Sequence, residues 1–568
     1  MVPCASALTE KFFCKGAFCR SPDSSVLTVC LGGYFMRRFV SLIPITLLLL
    51  AGLSACGSKS SANQNKTLNV TLADEPATVD PNKDTDTNSA SVIAQTMEGL
   101  YTYSKSNKII PGVATKVVKP TNHGKTYTFT LKKTAKWANG QRVTAQDFVT
   151  SLRRMADPTT KAQYASVLSA FKNYNAVQHG KLAPSKLGIT ALSKTKLQIQ
   201  LTKAVPYFND LVASKYYPLN TAAVRKYGSK YGTNAARAMS NGPYKLVGWT
   251  GSNSTWRYVK NPHYWNAQNV KIHQIKVAVT KDSTTAANLF NAGKIQETTV
   301  SGEYVRANGN SKQLHTHLLG RMNLLYFNSK RQTTASENLR QAVSYAIDRN
   351  QLTNSVLKDG SKAALSAVPR GDQTNPQTGK DMASEVGNLL TYNVSTAKRY
   401  WQRYLKEAGK TKVTLSILTD DSDDDKKVGT YLQSVLEKNL PGLTITLTQI
   451  PHAQHVSRDF AGNFDINLIG WSTNWLDASD YLDLAAKGNS VNFTNWNDQT
   501  YNQILTSAEN QSGQARYNGL VKADKYLMRV KGYVPLYQPS EAKLISKQVG
   551  GLTYSLLNDA QYQYAYWK

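Results

Sequence analysis

The residues of this chain that could hold a metal or carry out catalysis are few and poorly spaced for either task. Two histidine pairs stand out, His315-Thr-His317 and His452-x-x-His455. Neither has a carboxylate at a spacing that would complete a zinc site, and pairs of this kind read as surface residues. The run Asp420, Asp421, Asp423, Asp424, Asp425 has the density of a calcium loop. A loop opening at Asp421 needs Gly at its sixth position and Glu at its twelfth, and Lys426 and Leu432 stand there. The run instead precedes a helical pattern, where carboxylates complement the positive end of the helix dipole. Cys4, Cys14, Cys19, Cys30 and Cys56 are the only cysteines, and 512 residues follow without one. The body of the chain can therefore hold neither a disulfide framework nor a thiolate metal site. G-x-x-x-x-G-K-[ST], G-x-S-x-G, H-E-x-x-H and G-x-G-x-x-G are all missing. No enzyme signature of these kinds is present, and neither a cofactor nor a metal is expected.

The elements around them read as alternating strands and helices. Residues 67–72 (TLNVTL) alternate as an exposed strand does, and 91–100 carry Val92, Ile93, Met97 and Leu100 on one helical face. Strands are expected at 127–131, within 189–201, and at 271–279, 323–327, 413–418, 443–447 and 464–469. Thr144-Ala-Gln-Asp147 opens a helix through Met155 with Asp in the Glu/Gln place of a capping box, and Asp157-Pro158 ends it. Further helices are expected at 337–347 and 426–439. This order is mixed α/β.

At 568 residues the chain exceeds one ordinary domain, and with 41% hydrophobic and 18% charged residues it is neither disordered nor a polytopic membrane protein. Its 68 basic and 37 acidic residues leave +31. With no arginine-rich block, that charge speaks for anionic surroundings rather than for nucleic acid. From Met36 the chain reads MRRFVSLIPITLLLLAGLSAC: two arginines, a short apolar stretch and small residues, as in an export signal. Its end, Leu53-Ser-Ala-Cys56-Gly57, is similar to a bacterial lipoprotein signal. That similarity implies a signal peptide at 36–55, a lipid on Cys56, a flexible tether at 56–66, and 1–35 as an upstream extension. Residues 56–568 would keep a net +28.

A longer likeness runs through the body. KTYTFTLKKTAKWANGQRVTAQDFVTSLRRMADPTTKAQYASVL (125–168) resembles the signature region of the bacterial solute-binding proteins of family 5, the oligopeptide-binding lipoproteins of ABC importers. Thr78-Val-Asp-Pro81, Glu98-Gly-Leu100, Ser240-Asn-Gly-Pro-Tyr-Lys-Leu246, Lys260-Asn-Pro-His-Tyr-Trp265, Tyr326-Phe-Asn328, Leu339–Arg349 and Phe464-Asp465 with Gly470-Trp471 follow in the family's order. Most of these residues have turn or core readings of their own: Gly140 and Gly242-Pro243 as turns, Trp137, Phe148, Tyr244 and Trp265 as core aromatics.

The resemblance implies a two-lobed, Venus-flytrap (class II) α/β fold with a subdomain inserted in the first lobe. The first lobe would comprise 67–97, 224–325 and 541–568, the insert 98–223 and the second lobe 326–540. It implies a monomer on the extracellular face of a Gram-positive membrane, passing peptides to a permease and separate ATPase subunits. Peptide would be held extended by main-chain bonds, as in strand addition. The residues that correspond are Thr85, Asp86, Thr87 and Asn88 in a first-lobe loop, Tyr164 in a pocket, and Gly470, Trp471 and Ser472 as a backbone edge. The family's G-W-x-x-D-[YF] is altered here: Asn474 stands where an Asp pairs with the ligand's ammonium, and Asp477 lies three residues on. Either Asp477 replaces it, or the amino end is held otherwise, or the ligand is no standard peptide. A signalling-peptide or other solute receptor, and a basic surface adhesin, are the competing readings.

Overall fold

The computed structural model describes residues 66–568 apart from 490, 555–556 and 558–559. The expected extension, signal peptide, Cys56 and the tether through residue 65 lie outside them. Two sheets organise the chain. The first has seven strands in the spatial order Leu314–Leu318, Ser540–Ile545, Glu297–Val300, Thr67–Leu72, Gln274–Val279, Thr255–Lys260, Tyr244–Val247. Thr67–Leu72 is parallel to both its neighbours. It is thus an interior strand and not the exposed one its alternation suggested: Thr71 is buried beside Thr298, while Thr67 and Asn69 are half-buried. The second sheet runs Lys362–Ala363, Val534–Gln538, Arg321–Phe327, Ile466–Ser472, Val413–Asp420, Leu443–Ile450. Its central strand shows why it sits inside. Met322, Leu324 and Tyr326 enter one core and Leu325 and Phe327 the other, so both faces are covered.

The chain passes between these sheets at two adjacent places. Leu319–Gly320 joins Leu314–Leu318 to Arg321–Phe327, and Pro539 joins Val534–Gln538 to Ser540–Ile545. The passages are tied together: Leu319 N–H donates to the Pro539 carbonyl at 2.9 Å, and Gln538 Nε2 to the Leu319 carbonyl at 3.0 Å. Residues 321–325 therefore pair in the second sheet, not in the first lobe where the sequence placed them, and Ser540 opens a first-sheet strand.

Residues 93–216 build a core of their own around a three-stranded sheet, Thr126–Thr130, Lys196–Gln200, Ile189–Ser193. The helix Ala145–Ala156 packs against it, and its cap explains the aspartate. Asp147 Oδ2 accepts from Thr144 N–H at 2.9 Å and from Trp137 Nε1 at 3.2 Å, while Oδ1 accepts from Thr221 N–H at 3.0 Å. The shorter side chain closes the capping box while tying down a buried tryptophan and the next helix.

Other sequence stretches interlock in the same way. Glu98 accepts from Tyr264 Oη and Trp265 Nε1, its main chain pairs with the Asn241 amide, and Asn261 Nδ2 donates to the Gly242 carbonyl. Burial pushes the Glu98 carboxyl up to about 7 against the pull of those two donors. Three separated motifs thus form one buried knot where the first lobe meets the insert.

Two local expectations change and one holds. The first helix runs Thr87–Thr96, not 91–100, because Asp86 caps it and Leu100 leads into a strand. The aspartate run does open a helix, Asp423–Asn439, capped by Ser422. His455 is not a surface residue: only 1% exposed, it lies between Asp420 (2.6 Å) and Asn467 (2.6 Å), with Asp459 at 3.5 Å. Asp459 lies four residues on in the same helix, but Asp420 and Asn467 come from two neighbouring strands, 35 positions before and 12 after it, which helical spacing cannot show. Among the described residues no helix is long and apolar enough to cross a membrane.

Thr78-Val-Asp-Pro81 is also structural. Asp80 is fully buried and receives Arg154 through two bonds, 3.0 and 2.7 Å, while Gly232 presses on it so closely that a Cβ would overlap. Removing one partner of a buried pair leaves an unpaired charge, at roughly 3–5 kcal/mol. Arg154→Ala should lower unfolding free energy by about that amount in urea melts, and Arg154→Ala with Asp80→Asn should recover part of it.

Candidate functional site

The second lobe presents an unpaired strand edge toward the insert. Ile466–Ser472 pairs along its whole length with Arg321–Phe327, but with Val413–Asp420 only at Ile466 and Asn467. Thr473 N–H donates to the Gly320 carbonyl at 2.7 Å. In an antiparallel ladder such residues alternate, so Trp471 turns its main-chain groups to Arg321–Phe327. Those of Gly470 and Ser472 face the other side, where the neighbouring strand has ended. The Arg321 guanidinium lies over Gly470, where any side chain would collide with it, and it reaches Asn323 Oδ1 (3.1 Å) and Ser472 Oγ (3.3 Å). Glycine here permits a close approach.

Beyond Ser472 the chain turns into a loop that touches the insert. Trp475 stacks on Tyr207 with ring centroids 5.2 Å apart, and the Asn474 carbonyl accepts from Ser214 Oγ at 3.1 Å. The helix Phe208–Ser214 thus faces residues 473–480 across the junction.

Carboxylates crowd this junction. Asp480 accepts from Asn474 N–H at 2.6 Å and from Trp471 Nε1 at 3.2 Å, and Asn474 Nδ2 reaches back to the Ser472 carbonyl at 3.3 Å. Burial pushes Asp480 up to about 7, with those donors and the Lys215 charge opposing. Asp210, from the insert, is raised to about 7 by burial and then by Asp477. Asp372 is held well above the ordinary range by burial and by Asp480. Its Oδ1 accepts from Thr473 Oγ1 at 2.8 Å, while its buried Oδ2 has no hydrogen-bond partner.

Asp477 is differently placed. Both its oxygens receive Arg516, at 2.7 and 2.8 Å, and Oδ1 also accepts from the Ser479 hydroxyl and N–H. Arg516 in turn lies over the Tyr207 ring, 5.7 Å from its centroid. This carboxylate already has its counter-charge, whereas Asp480 has only neutral donors in direct contact.

The first-lobe loop and Tyr164 complete the junction. Asp86 is the cap of Thr87–Thr96, accepting from Ser89 N–H at 2.8 Å; Thr85 and Thr87 are exposed and Asn88 half-buried. Asp84, next to them, is raised to about 6 by burial, with Lys215 opposing. Tyr164, 39% exposed, feels both Asp84 and Asp480. Asp84, Tyr164, Lys215 and Asp480 thus converge from the first lobe, the insert and the second lobe. Sequence reasoning reached Tyr164 and the neighbours of Asp84. It missed Asp480, Asp372, Asp210 and Lys215, which no spacing rule connects, although Asp480 lies only six residues beyond Asn474.

The arrangement is an open strand edge ending at partly compensated carboxylates. It can receive an extended chain by main-chain bonds and a cation at that chain's end. Comparisons with known proteins agree with this geometry. The model of the bacterial extracellular solute-binding proteins, family 5 (middle region), matches residues 108–493. A dipeptide-binding protein of Lactococcus lactis is 33% identical over 480 residues, covering 82% of this chain and 86% of its own. The oligopeptide-binding protein OppA of Bacillus subtilis is 27% identical over 563 residues, 94% of this chain and all of that protein (100%). Among solved structures, peptide-bound OppA of Listeria monocytogenes superposes with a TM-score of 0.78 at 35% identity, covering 89% of this chain and 100% of that one. The pheromone receptor PrgZ does so at 0.79 and 30%, over 89% and 100%. The chain belongs to the family 5 bacterial extracellular solute-binding proteins, two-lobed transport components that bind rather than catalyse.

Proposed function

We propose that this protein is the lipid-anchored, extracellular receptor of an ABC importer, binding oligopeptides between its lobes and presenting them to a permease. The observation that carries this is the strand edge at Gly470 and Ser472, which has no partner strand among the described residues and lies beside the Asp480 carboxylate. Peptides share a backbone and, when unmodified, an ammonium, and these are the two features such a site addresses. The peptide-binding relatives support the same ligand class. Closure about Leu319–Gly320 and Pro539 would follow ligand only to the extent that ligand binds the closed form better. The anchor at Cys56, the loop 85–88 and Tyr164 as ligand contacts, and a monomeric state belong to this proposal.

The amino end is assigned to Asp480 rather than to Asp477, since Arg516 already neutralises the latter. Asp480→Asn should weaken binding of tetra-alanine by roughly 2–5 kcal/mol, the cost of one unpaired buried charge, and N-acetyl-tetra-alanine should bind as poorly to the native protein. Titration calorimetry measures both. Equal affinity for free and acetylated peptide would remove the ammonium from the recognition and favour a receptor for modified or signalling peptides, the reading that Asn474 invites. Asp477→Asn should instead lower stability, visible in melting temperature.

The pH dependence has a definite sign. Asp480 and Asp210, raised to about 7, must ionise to receive a cation. Affinity for tetra-alanine should rise between pH 6 and pH 8, with proton release on binding seen as buffer-dependent heats. For the ligand-free protein the direction reverses. A carboxyl whose folded pKa is raised favours the folded state at acid pH, and that contribution is lost as pH climbs toward 7. The melting temperature without peptide should therefore fall from pH 6 to pH 8, less so in Asp480→Asn. A flat profile in both would contradict the titration of this cluster.

A further inference from the structure

The insert carries a second surface that peptide binding does not use. Residues 98–223 hold nineteen Lys and Arg against four Asp and Glu, a net +15, over half the +28 of residues 56–568 in under a quarter of their length. Of the four acids, Glu98 and Asp147 are buried, Asp210 faces the interlobe junction, and Asp157 accepts from Thr159. From other segments Asp80 meets Arg154 and Glu509 meets Lys203, and the subdomain keeps a strong positive excess.

That charge frames a particular face. One face of the three-stranded sheet is core: Tyr127, Phe129, Ile189, Leu197 and Ile199 are buried. The other presents Thr126, Thr128, Thr130, Thr190, Gln198 and Gln200, paired across the strands as Thr126–Gln200 and Thr128–Gln198. Exposed lysines stand at both ends. Lys125 precedes the first strand, and Lys172 pairs through its N–H with the Gln200 carbonyl at 2.9 Å. At the far end are Lys194 in the hairpin turn, Lys196 opposite Thr130, and Lys133. Strands of five residues set the two groups roughly 16 Å apart, at about 3.3 Å per residue. Between them lie hydroxyl and amide side chains, with the exposed Leu192 at the edge strand as an apolar exception, and none of the outward positions named on these strands is aromatic.

We propose that this face binds a polyol-phosphate chain, a polymer of acyclic hydroxylated units joined by phosphodiesters. Lysines are strongly hydrated point charges suited to successive phosphates, without the fork that selects one planar anion. The Thr and Gln side chains can pair with the hydroxyls between phosphates. Nucleic acids read without sequence preference, by contrast, are held on aromatic stacking platforms, which this face lacks. Such a contact would hold the receptor within a polyanionic layer while its cleft remains free, and it rests on observations separate from those behind the peptide reading.

The test is binding of fluorescently labelled poly(glycerol phosphate) to the intact protein at 50 and 200 mM salt. Inorganic polyphosphate, which has the charge without the hydroxyls, and phosphatidylglycerol vesicles serve as competing ligands. Expected are tighter binding of poly(glycerol phosphate) than of either comparator and weakening at the higher salt. The variant Lys125→Ala, Lys133→Ala, Lys172→Ala, Lys194→Ala, Lys196→Ala should lose at least tenfold, with tetra-alanine affinity and melting temperature unchanged. Undiminished polymer binding by that variant would overturn the proposal. So would polyphosphate binding as tightly, which reduces the face to charge alone, or preferred binding to the vesicles, which assigns it to a membrane surface.

Discussion

Everything in this molecule hangs on two short passages of chain, Leu319–Gly320 and Pro539, bonded to each other between two sheets. Each joins the end of a strand in one sheet to the start of a strand in the other. Among the described residues no helix crosses with them, and other contacts across the junction are made by side chains and loops, such as Trp475 on Tyr207 and Ser214 on Asn474. Contacts of that kind can be exchanged for contacts to a ligand without disturbing either core. The rigid parts are thereby kept apart from the part that must respond.

The insert gives the junction its chemistry. It contributes Tyr164, Asp210 and Lys215 against Asp372 and Asp480 of the second lobe and Asp84 of the first. A protein whose whole charge is strongly positive thus collects buried carboxylates at one place. Desolvation raises their pKa because the charged form has lost water and has too few cations to replace it. Asp477, met by Arg516, marks the contrast. Two carboxylates three residues apart serve different ends, one completing an internal ion pair and the other left to neutral donors. Such electrostatic tension is relieved by a cation or a proton, which couples ligand charge to pH.

Outside the junction, the sequence stretches that resemble the family are mostly structural. Asp80 meets Arg154, Glu98 gathers Tyr264, Trp265 and Asn241, and Asp147 ties Trp137 to Thr221. Each holds a buried polar group with complete partners, and losing one would leave a desolvated charge or donor. Their clear legibility in sequence and their distance from the ligand edge have the same origin. A buried polar knot tolerates few alternatives, whereas an edge that uses main-chain groups places little demand on side-chain identity.

By itself the sequence determined the alternation of strands and helices, the capped helix at Thr144, the lack of cysteine beyond residue 56 and, through its ordered motifs, the two-lobed class. These depend on local periodicity, capping and residue type, which neighbours in the chain decide. Gly470 and Trp471 were legible as a motif, and Asn474 as a departure from it. Only the tertiary structure decided that Asp477 is already paired, that Asp480 takes the place beside Asn474, that His455 is buried between Asp420 and Asn467, and that the strand edge at Gly470 and Ser472 has no partner strand among the described residues. Each of these turns on what the folded chain brings together, from six positions away for Asn474 and Asp480 to 39 for Asp477 and Arg516. Burial and charge pairing are properties of that assembled neighbourhood, not of the spacing along the chain.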